Sequence, residues 1–558
     1  MPNESTLSKS PQTCVDPGET SPCLPAGLTR RRFLELSACA ATPVVLQACG
    51  GDDVSGTGGT ASSGTGGSSG NADDATASEG GETAGASTSG GDSGTDSDPD
   101  DTGADSTGDD DTGTTGGEEP VDDGGEEFRF EPDRVPEDID MFPRTVMAGE
   151  MKPSSVLLAI YIDDAEPKTL RLWRESQIEG NIILVQEAEV VPDTDGFVKV
   201  PVEDLAPGTW YSYAFFGEDF ETRSLIGNVR TAISDTAEEV IRVAFASCNG
   251  GYYEPGGNEA PFTWPTMTAQ ADLEYDLMIH LGDMAYMDTV FSAGGTYEMY
   301  LEAWGGFHGG GYREVYPKTG LYATWDDHEV TDNGSVDPWS RSAEDVERIE
   351  NAIEAYYTVL PIEGANSMDR LWRSHRWGQT VEFIMLDSRY ERTPTKGGQY
   401  LSPEQMAFLQ DRLENSPCRF KVICNSVPFT DLAPWLGIAA SDRWKGYPAQ
   451  RQEILDFVND GDISNVYWVT GDIHANFVSY VQTNPGPGAG DTMREVCLTS
   501  GNTNPAAFLL GGNQFPYASG EPRTLVMTFD PGNESVHVEF RNAGTGAIDH
   551  EATLFSGV

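Results

Sequence analysis

The segment Thr324-Trp325-Asp326-Asp327-His328-Glu329 places two adjacent aspartates and a histidine at the end of a short apolar run. Charges crowded at the end of a strand repel one another, and a bound cation removes that repulsion. Carboxylate oxygens are ligands for hard cations, and imidazole suits transition metals. The segment therefore predicts a metal site with a proton-transfer group beside it, although an exposed acidic loop would be the ordinary interpretation of this motif alone.

Five further polar clusters also follow predicted strands. They are Ser247-Cys248-Asn249-Gly250, Gly282-Asp283-Met284-Ala285-Tyr286, Asp387-Ser388-Arg389-Tyr390, Asn425-Ser426 and Gly471-Asp472-Ile473-His474. In open α/β sheets, ligands bind beyond the carboxyl ends of the strands, so these side chains are expected to meet at one edge. Each cluster alone has an ordinary explanation, such as a Gly-Asp turn or a buried cysteine. All of them together favour a functional site.

The second half of the chain predicts the elements that position these clusters. Strands are predicted at 241–246, 277–280, 321–324, 381–386, 420–424 and 466–469, with the clearest helices at 342–360 and 402–413. Late strands at about 495–498, 523–529 and 535–540 are predicted to be antiparallel and hairpin-linked. Both helices open on a Ser followed by an acidic residue, a pattern typical of a helix start. Alternating strands and helices predict a layered α/β architecture with helices outside the sheets.

A different rhythm precedes this region, from about 128 to 236. Short alternating apolar runs at 156–162, 169–173, 182–185, 198–202, 211–216 and 226–229 are separated by turns. This spacing is typical of an antiparallel β-sandwich. Tyr211 follows a Pro207-Gly208 turn, as in a tyrosine corner whose hydroxyl bonds back to the preceding loop. The fold class is thus multidomain, α/β plus β, and the sandwich is predicted to pack against the α/β domain and position it.

Composition adds a third region and excludes one class of partner. The 558 residues carry a formal net charge of −57, so no nucleic-acid-binding surface is expected. Between Gly51 and Glu127 there is no Lys or Arg, while Gly, Ser, Thr and Asp dominate. Such a segment cannot bury enough apolar surface to fold, and a disordered acidic linker is predicted over 50–127.

The N-terminus predicts export. Thr29-Arg30-Arg31-Arg32-Phe33-Leu34 matches the twin-arginine pattern, and the apolar segment 36–48 is too short to span a bilayer as a helix. Leu46-Gln47-Ala48-Cys49-Gly50 is similar to a lipoprotein cleavage box in which Cys49 becomes lipidated, although Cys49 as an incidental small residue is the alternative. The sequence thus predicts a removable signal over 1–49 and a lipid-anchored protein of the cell envelope, periplasmic or on the cell surface.

Five of these motifs together resemble the calcineurin-like metallophosphatase superfamily, and in particular its alkaline phosphatase D (PhoD-like) branch. They are Phe245-Ala246-Ser247-Cys248, Leu281-Gly282-Asp283-Met284-Ala285-Tyr286, Trp325-Asp326-Asp327-His328-Glu329, Leu386-Asp387-Ser388-Arg389 and Gly471-Asp472-Ile473-His474. The resemblance extends from about Phe142 to the C-terminus. It implies an Ig-like N-terminal β-sandwich over 128–236 and a layered αββα metallophosphatase domain over 237–558.

The resemblance also implies the metals, Fe(3+) and Ca(2+). The residues implied for iron are Cys248, Tyr286, Asp283 and His474, and those implied for one or two calcium ions are Asp283, Asp326 or Asp327, and Asp472. Thiolate, phenolate and imidazole suit iron, whereas clustered carboxylates suit calcium. The superfamily's commoner histidine-rich motifs are replaced here, which argues against a di-zinc site. It remains open whether Asn425 binds metal, binds substrate or only closes a turn.

These residues predict an exported, metal-dependent phosphoesterase that hydrolyses phosphate monoesters, diesters or both through a metal-bound hydroxide. His328 is the predicted general acid, with Glu329 orienting its ring; a third metal ligand is the alternative role for His328. Arg389 is predicted to grip the substrate phosphate through its guanidinium fork, and a surface ion pair with Glu391 or Asp387 is its alternative. A phosphodiesterase or phospholipase on the same scaffold, and an inert surface-binding module, are the rival functions.

Overall fold

A computed structural model describes residues 123–251, 263–332, 342–364, 371–393, 398–432, 442–482 and 493–555. The predicted signal, the predicted lipidation site Cys49 and most of the predicted linker lie outside these residues. Among the described residues, every helix is too short or too polar to cross a lipid bilayer.

The N-terminal part is built from antiparallel strands. Those described between 123 and 236 are β1 (Glu126–Arg129), β2 (Met147–Lys152), β3 (Ser155–Tyr161), β4 (Lys168–Glu175), β5 (Asn181–Val190), β6 (Phe197–Val202), β7 (Trp210–Phe216) and β8 (Gly227–Arg230). Strands β1, β5, β4, β7 and β8 form one five-stranded sheet in that order. All six strands predicted for this region are present, as β3 to β8. Strands β1 and β2 were not predicted, and β1 begins inside the predicted linker.

Tyr211, at the start of β7, fixes the preceding loop. The backbone N–H of Ala206 donates to Tyr211 Oη at 2.8 Å, and Tyr211 Oη lies 3.0 Å from Asp123 Oδ2, to which it donates. The predicted bond from the hydroxyl back to the preceding loop is therefore confirmed. The assignment of this region to the Ig-like class stays a prediction.

The C-terminal part contains the remaining described strands and the helices. The strands are β9 (Ile241–Ala246), β10 (Leu277–His280), β11 (Gly320–Ala323), β12 (Arg373–Trp377), β13 (Val381–Met385), β14 (Phe420–Cys424), β15 (Val466–Thr470), β16 (Asn476–Tyr480), β17 (Arg494–Cys497), β18 (Tyr517–Ser519), β19 (Thr524–Asp530), β20 (Ser535–Arg541) and β21 (Ile548–Phe555). The helices are α1 (Pro265–Ala271), α2 (Asp288–Ala293), α3 (Tyr297–Gly306), α4 (Gly310–Val315), α5 (Ala343–Val359), α6 (Pro403–Asn415) and α7 (Pro448–Asp460).

These strands form two mixed sheets. One has nine strands in the order β21-β20-β19-β9-β10-β11-β2-β3-β6, and the other has seven in the order β12-β13-β14-β15-β17-β16-β18. Strands β9, β10 and β11 are parallel in the first sheet, as are β13, β14, β15 and β17 in the second. Parallel pairing brings the carboxyl ends of neighbouring strands to the same edge, which is where the polar clusters begin.

Strands β2, β3 and β6 of the N-terminal part extend the nine-stranded sheet. Strand β2 pairs in parallel with β11, with Gly149 opposite Leu321. A Cβ on Gly149 would lie 2.2 Å from the backbone oxygen of Pro361, so only glycine permits this close approach. The two predicted domains therefore share one sheet at this point.

Alternate side chains of the parallel strands face two different layers. Val243 and Phe245 of β9 and Val422 of β14 belong to one apolar cluster between the two sheets. Their neighbour Ala244 packs with residues of α1, α3, α4 and α5, and Ile423 packs with residues of α6 and α7. Helices therefore cover the outer face of each sheet, as the predicted αββα layering requires. Burying each such aliphatic side chain stabilises the fold by about 1.5–3 kcal/mol.

The two predicted helix starts are also present. Ser342 Oγ accepts from the backbone N–H of Asp345 at 3.1 Å, and Asp345 Oδ2 accepts from the N–H of Ser342, which forms a capping box before α5. Ser402 Oγ accepts from the N–H of Gln405 at 3.1 Å before α6. Both serines satisfy backbone donors that have no partner within the helix.

Candidate metal centre

The polar clusters of both sheets meet at the carboxyl ends of the parallel strands. The nine-stranded sheet contributes Cys248 after β9, Asp283 and Tyr286 after β10, and Asp326, Asp327 and His328 after β11; the seven-stranded sheet contributes Arg389 after β13, Asn425 after β14, and Asp472 and His474 after β15. Hydrogen bonds, ion pairs and close approaches connect these side chains, apart from that of Asn425, across the two sheets. The residues that sequence reasoning selected are thus assembled at one edge.

Among the described residues, four groups at this edge have potential ligand atoms within 4.8 Å of one another. They are Cys248–Asp283–His474, Asp283–Asp327–His328, Asp288–His328–Asp332 and Asp326–Asp327–Asp472. Tyr286 Oη lies 3.4 Å from Asp283 Oδ2, next to the first group. The side chains predicted for iron and those predicted for calcium are therefore brought together, and Asp283 is common to two groups.

Four of the predicted ligands have left-handed backbone conformations, which residues other than glycine rarely adopt. They are Cys248 (φ 52°), Asp283 (φ 56°), Asp472 (φ 64°) and His474 (φ 54°). Each such residue costs about 1–3 kcal/mol and persists only where its surroundings hold it, most often at functional sites. Gly282 (φ 99°) allows one of these turns, because a Cβ there would lie 2.5 Å from the backbone nitrogen of Asp326.

Several oxygens of the buried carboxylates in these groups lack a hydrogen-bond donor. The oxygens without a hydrogen-bond partner are Asp283 Oδ1, Asp326 Oδ2, both Oδ atoms of Asp327, and Asp472 Oδ2. Burial raises the pKa of Asp283 well above its usual range, and the charges of Asp326 and Asp327 raise it further. Burying charge without a partner is costly, and a bound cation would satisfy these oxygens and oppose their repulsion. The donor set therefore fits a metal centre.

Arg389 neutralises part of this negative charge. Its side chain is 1% exposed; Nε donates to Asp326 Oδ1, while Nη1 donates to Asp442 Oδ1 at 2.6 Å and Nη2 to Asp472 Oδ1 at 2.6 Å. Asp327 Oδ1 lies 3.5 Å from Nη2. The surface ion pair considered from the sequence is therefore wrong, because the guanidinium is buried among other aspartates. The phosphate-binding role of Arg389 stays a prediction.

His328 is oriented by a residue that the sequence reasoning missed. His328 Nδ1 lies 2.7 Å from Asp288 Oδ1, and its ring stacks on that of Tyr286 with 4.2 Å between the centroids. The predicted orientation of His328 by Glu329 is wrong. Burial lowers the pKa of His328, but the charge of Asp283 and the hydrogen bond with Asp288 outweigh it and raise the pKa well above its usual value. A protonated imidazole is the form that a general acid requires.

Glu329 instead connects two of the loops that carry the aspartates. Its Oε1 accepts from the backbone N–H groups of Met284 at 2.6 Å and Ala285 at 3.3 Å. Its Oε2 accepts from those of Asp283 at 3.0 Å and Asp326 at 2.7 Å. The carboxylate satisfies four buried backbone donors, so the sequence could not reveal its partners from side-chain chemistry alone.

Glu329→Ala is expected to lower the free energy of unfolding by about 3–5 kcal/mol, because buried N–H groups left without an acceptor cost about 1–3 kcal/mol each and water can rescue some of them. Urea denaturation of protein freed of metal by chelation measures this loss. Glu329→Gln is the matched control: it keeps an oxygen acceptor and should lose less. An alanine variant as stable as the wild type would contradict the role of Glu329 as a connector.

Asn425 closes a turn after β14. Its backbone N–H donates to the carbonyl of Val469 at 3.1 Å, and its Nδ2 donates to the carbonyl of Val427. Its Oδ1 is buried without a hydrogen-bond partner. Asn425 thus has the turn-closing role. Because its Oδ1 has no hydrogen-bond partner, metal binding and substrate binding by Asn425 both stay predictions.

Asn502 is a second residue that the sequence reasoning missed. Its Nδ2 donates to Tyr286 Oη and lies 3.2 Å from His474 Nε2, and its backbone N–H donates to the carbonyl of Cys248 at 3.1 Å. Strand β17 runs parallel to β15, so the segment Thr499-Ser500-Gly501-Asn502 emerges at the same edge as the other clusters. The sequence predicted only antiparallel pairing for this strand, which is correct for its pairing with β16 but wrong for its pairing with β15. Treating β17 as another parallel strand would have identified Asn502.

The two layered sheets carry potential metal ligands at their shared edge, namely carboxylates, a thiol and imidazoles. This arrangement fits a metallophosphatase-type α/β fold, and comparisons with known structures support this class. The chain aligns with a structure of PhoD at a TM-score of 0.60 and 21% identity, covering 73% of this chain and 88% of that one. It aligns with a purple acid phosphatase from yellow lupin (Lupinus luteus) seeds at a TM-score of 0.53 and 14% identity, covering 74% of each chain. These likenesses concern the fold.

The sequence comparisons find similarity to one family of phosphatases. Residues 309–549 match the model of the PhoD-like phosphatases. Alkaline phosphatase D of Bacillus subtilis (strain 168) is 28% identical over 326 residues, which are 50% of this chain and 54% of that protein. The chain thus spans about half the length of this curated relative. The predicted resemblance is confirmed over residues 309–549, and this matched segment contains His328, Arg389 and His474.

Proposed function

We propose that this chain is a metal-dependent phosphoric ester hydrolase acting on phosphate monoesters, diesters or both. The observation that carries the proposal is the cluster of buried carboxylate oxygens without hydrogen-bond donors, located where parallel strands of two sheets end. A purely structural site would be expected to pair such oxygens. The match of residues 309–549 to the PhoD-like phosphatases supports phosphate esters as the substrate class.

The proposed metals are one ferric iron and one or two calcium ions. Cys248, Asp283, Tyr286 and His474 would hold the iron, and Asp283, Asp326 or Asp327, and Asp472 would hold calcium. When bound, such cations lower the pKa of water and neutralise the charge that develops on phosphoryl oxygens. Thiolate and phenolate ligands match iron, and the all-carboxylate group matches calcium.

The other residues have positioning and proton-transfer roles in this proposal. His328 holds a proton on Nε2 for the leaving alkoxide, while Asp288 orients the ring through Nδ1. Arg389 exchanges part of its contact with Asp326 and Asp472 for the phosphoryl oxygens and stays anchored by Asp442.

The purified holoprotein tests the function directly. Metal-dependent hydrolysis of 4-nitrophenyl phosphate or bis(4-nitrophenyl) phosphate is expected, together with iron and calcium in elemental analysis and loss of activity on chelation. The ratio of the two rates separates a phosphomonoesterase from a phosphodiesterase. Metal-loaded protein that hydrolyses neither ester would overturn the proposal in favour of an inert binding module, and stoichiometric zinc would overturn the assignment of the metals.

His328→Asn is expected to slow hydrolysis of alkyl phosphate esters by roughly 10²-fold while affecting 4-nitrophenyl esters much less, because only poor leaving groups need the proton. Asp288→Asn should also slow alkyl esters more than aryl esters, but by a smaller factor, because it leaves the imidazole in place. The measurement is kcat/KM on an alkyl and an aryl ester for each variant. Equal losses on both esters, accompanied by loss of metal, would make His328 a metal ligand instead.

We also propose that the sandwich region 128–236 is an Ig-like domain. A separate proposal is that the protein is exported by the twin-arginine pathway and carries a lipid anchor at Cys49. The support is the Arg30-Arg31-Arg32 segment and the small-residue box before Cys49 in the sequence. Partition of the full-length protein into the detergent phase after expression in a twin-arginine-competent bacterium is the expected result. Recovery of all the protein in the cytoplasmic fraction would overturn it.

A further inference from the structure

Asn502 contacts three of the four residues proposed to hold iron. Its Nδ2 donates to Tyr286 Oη and lies 3.2 Å from His474 Nε2. Its backbone N–H donates to the carbonyl of Cys248 at 3.1 Å, beside a parallel bond from Gly501 to the same carbonyl at 3.0 Å. Asn502 therefore connects residues that follow β9, β10 and β15.

We propose that Asn502 is a positioning residue that donates its side-chain N–H to the phenolate oxygen of Tyr286 and so sets the geometry and the electron donation of that ligand. The inference rests on the proposed metal centre, and it does not depend on which phosphate ester is hydrolysed. It extends the site by a residue outside the predicted motifs.

The backbone around Asn502 is held in place, so the amide has little freedom to turn away. A Cβ on Gly501 would lie 1.6 Å from the carbonyl oxygen of Asn249, which shows how closely the two loops approach. Thr499 Oγ1 donates to the carbonyl of Asn502 at 2.8 Å. Side-chain donors supported in this way are pre-organised for one partner.

The chemistry of a phenolate explains why this donor matters. A phenolate oxygen can only accept hydrogen bonds, so a fixed N–H stabilises the charged form and withdraws electron density from it. Hydrogen bonds of this kind to metal ligands orient them and tune the metal, and their loss typically costs about 10–100-fold in metal affinity. The ring of Tyr286 also stacks on His328, so the same donor helps to place the proposed general acid.

Asn502→Leu, studied as holoprotein, tests the proposal. Without the N–H the phenolate donates more strongly, so the phenolate-to-iron absorption band should shift to longer wavelength. Iron retention against a chelator should nevertheless fall by roughly 10–100-fold, because the ring of Tyr286 is no longer held in place for the metal. Asn502→Asp keeps the shape of the side chain and also lacks the N–H, so it should show the same direction of shift even if the leucine variant folds poorly.

Asn504→Ala is the matched control on the same loop. Asn504 caps the short 3-10 helix Pro505–Leu509 and donates to the carbonyl of Ile473, without a described contact to Tyr286. It should lower thermal stability and leave the absorption band in place. An unchanged band and unchanged metal retention in both Asn502 variants would overturn the proposal, as would equal effects of Asn504→Ala and Asn502→Leu.

The test separates this inference from the proposed function. If the wild type is coloured and retains iron but hydrolyses no phosphate ester, the proposed activity is refuted. The role of Asn502 is then still decided by the position of the absorption band in its variants. A colourless wild type would refute the assignment of iron to this site. The role of Asn502 would then be decided by comparing how well Asn502→Leu and Asn504→Ala retain the metal that is present.

Discussion

Asp283→Asn is expected to remove most of the hydrolytic activity and bound metal while making the metal-free protein more stable. Asp283 belongs to two of the four candidate ligand groups at this edge, so both would lose a charged ligand at once. Several kcal/mol of transition-state stabilisation depends on such cations. A loss of about 4 kcal/mol corresponds to roughly 10³-fold in kcat.

The gain in stability follows from the same carboxylate. Asp283 is buried, its Oδ1 has no hydrogen-bond partner, and burial together with Asp326 and Asp327 favours its neutral form. A neutral amide of the same shape removes that repulsion, so the free energy of unfolding of the chelated protein should rise by about 1–3 kcal/mol. The loss of attraction to His328 opposes this gain but is smaller than the effect of burial.

Rates of ester hydrolysis and elemental analysis measure the loss of activity and metal, and denaturant unfolding of the chelated protein measures the gain in stability. Asp133→Asn, at an exposed position, is the matched control and should change neither activity nor stability. A less stable chelated Asp283→Asn protein would mean that the fold itself needs this charge. Full activity with normal metal content would remove Asp283 from the centre.

Local sequence patterns predicted the elements and the edge at which they meet. The apolar runs at β9, β10 and β14 give the observed strand limits, because parallel strands buried on both faces are short continuous apolar segments. The Tyr211 hydroxyl bond was predictable for a similar reason, since a turn of Pro and Gly before a strand sets it locally.

Contacts between distant segments could not be predicted in this way. The pairing of Gly149 with Leu321 joins β2 to β11 across more than a hundred residues, and nothing near Gly149 indicates it. Glu329 was misassigned because its partners are backbone N–H groups, which every residue except proline has. Asp288 and Asn502 were missed because their roles depend on which side chains the fold brings beside them.

Arg389→Ala is expected to destabilise the metal-free protein by about 3–5 kcal/mol, since removing one partner leaves buried charges uncompensated. The guanidinium, 1% exposed, pairs with Asp326, Asp442 and Asp472 and lies 3.5 Å from Asp327. Its loss would leave their mutual repulsion unopposed. The chelated variant should therefore unfold at much lower urea concentration than the chelated wild type.

Calcium should reverse this defect, because the freed carboxylates of Asp326, Asp327 and Asp472 form the all-aspartate group. A ligand present at 100 times its Kd stabilises the folded state by about 2.7 kcal/mol, so calcium should restore much of the lost stability. Arg392→Ala is the matched control: its Nη2 pairs with Asp442 at 2.7 Å, and its side chain is 2% exposed. It should be destabilised without this large response to calcium, because it leaves the ion pairs of Arg389 with Asp326 and Asp472 intact. Equal calcium responses in the two variants would show that the aspartate group is held together by general charge balance and does not bind a cation.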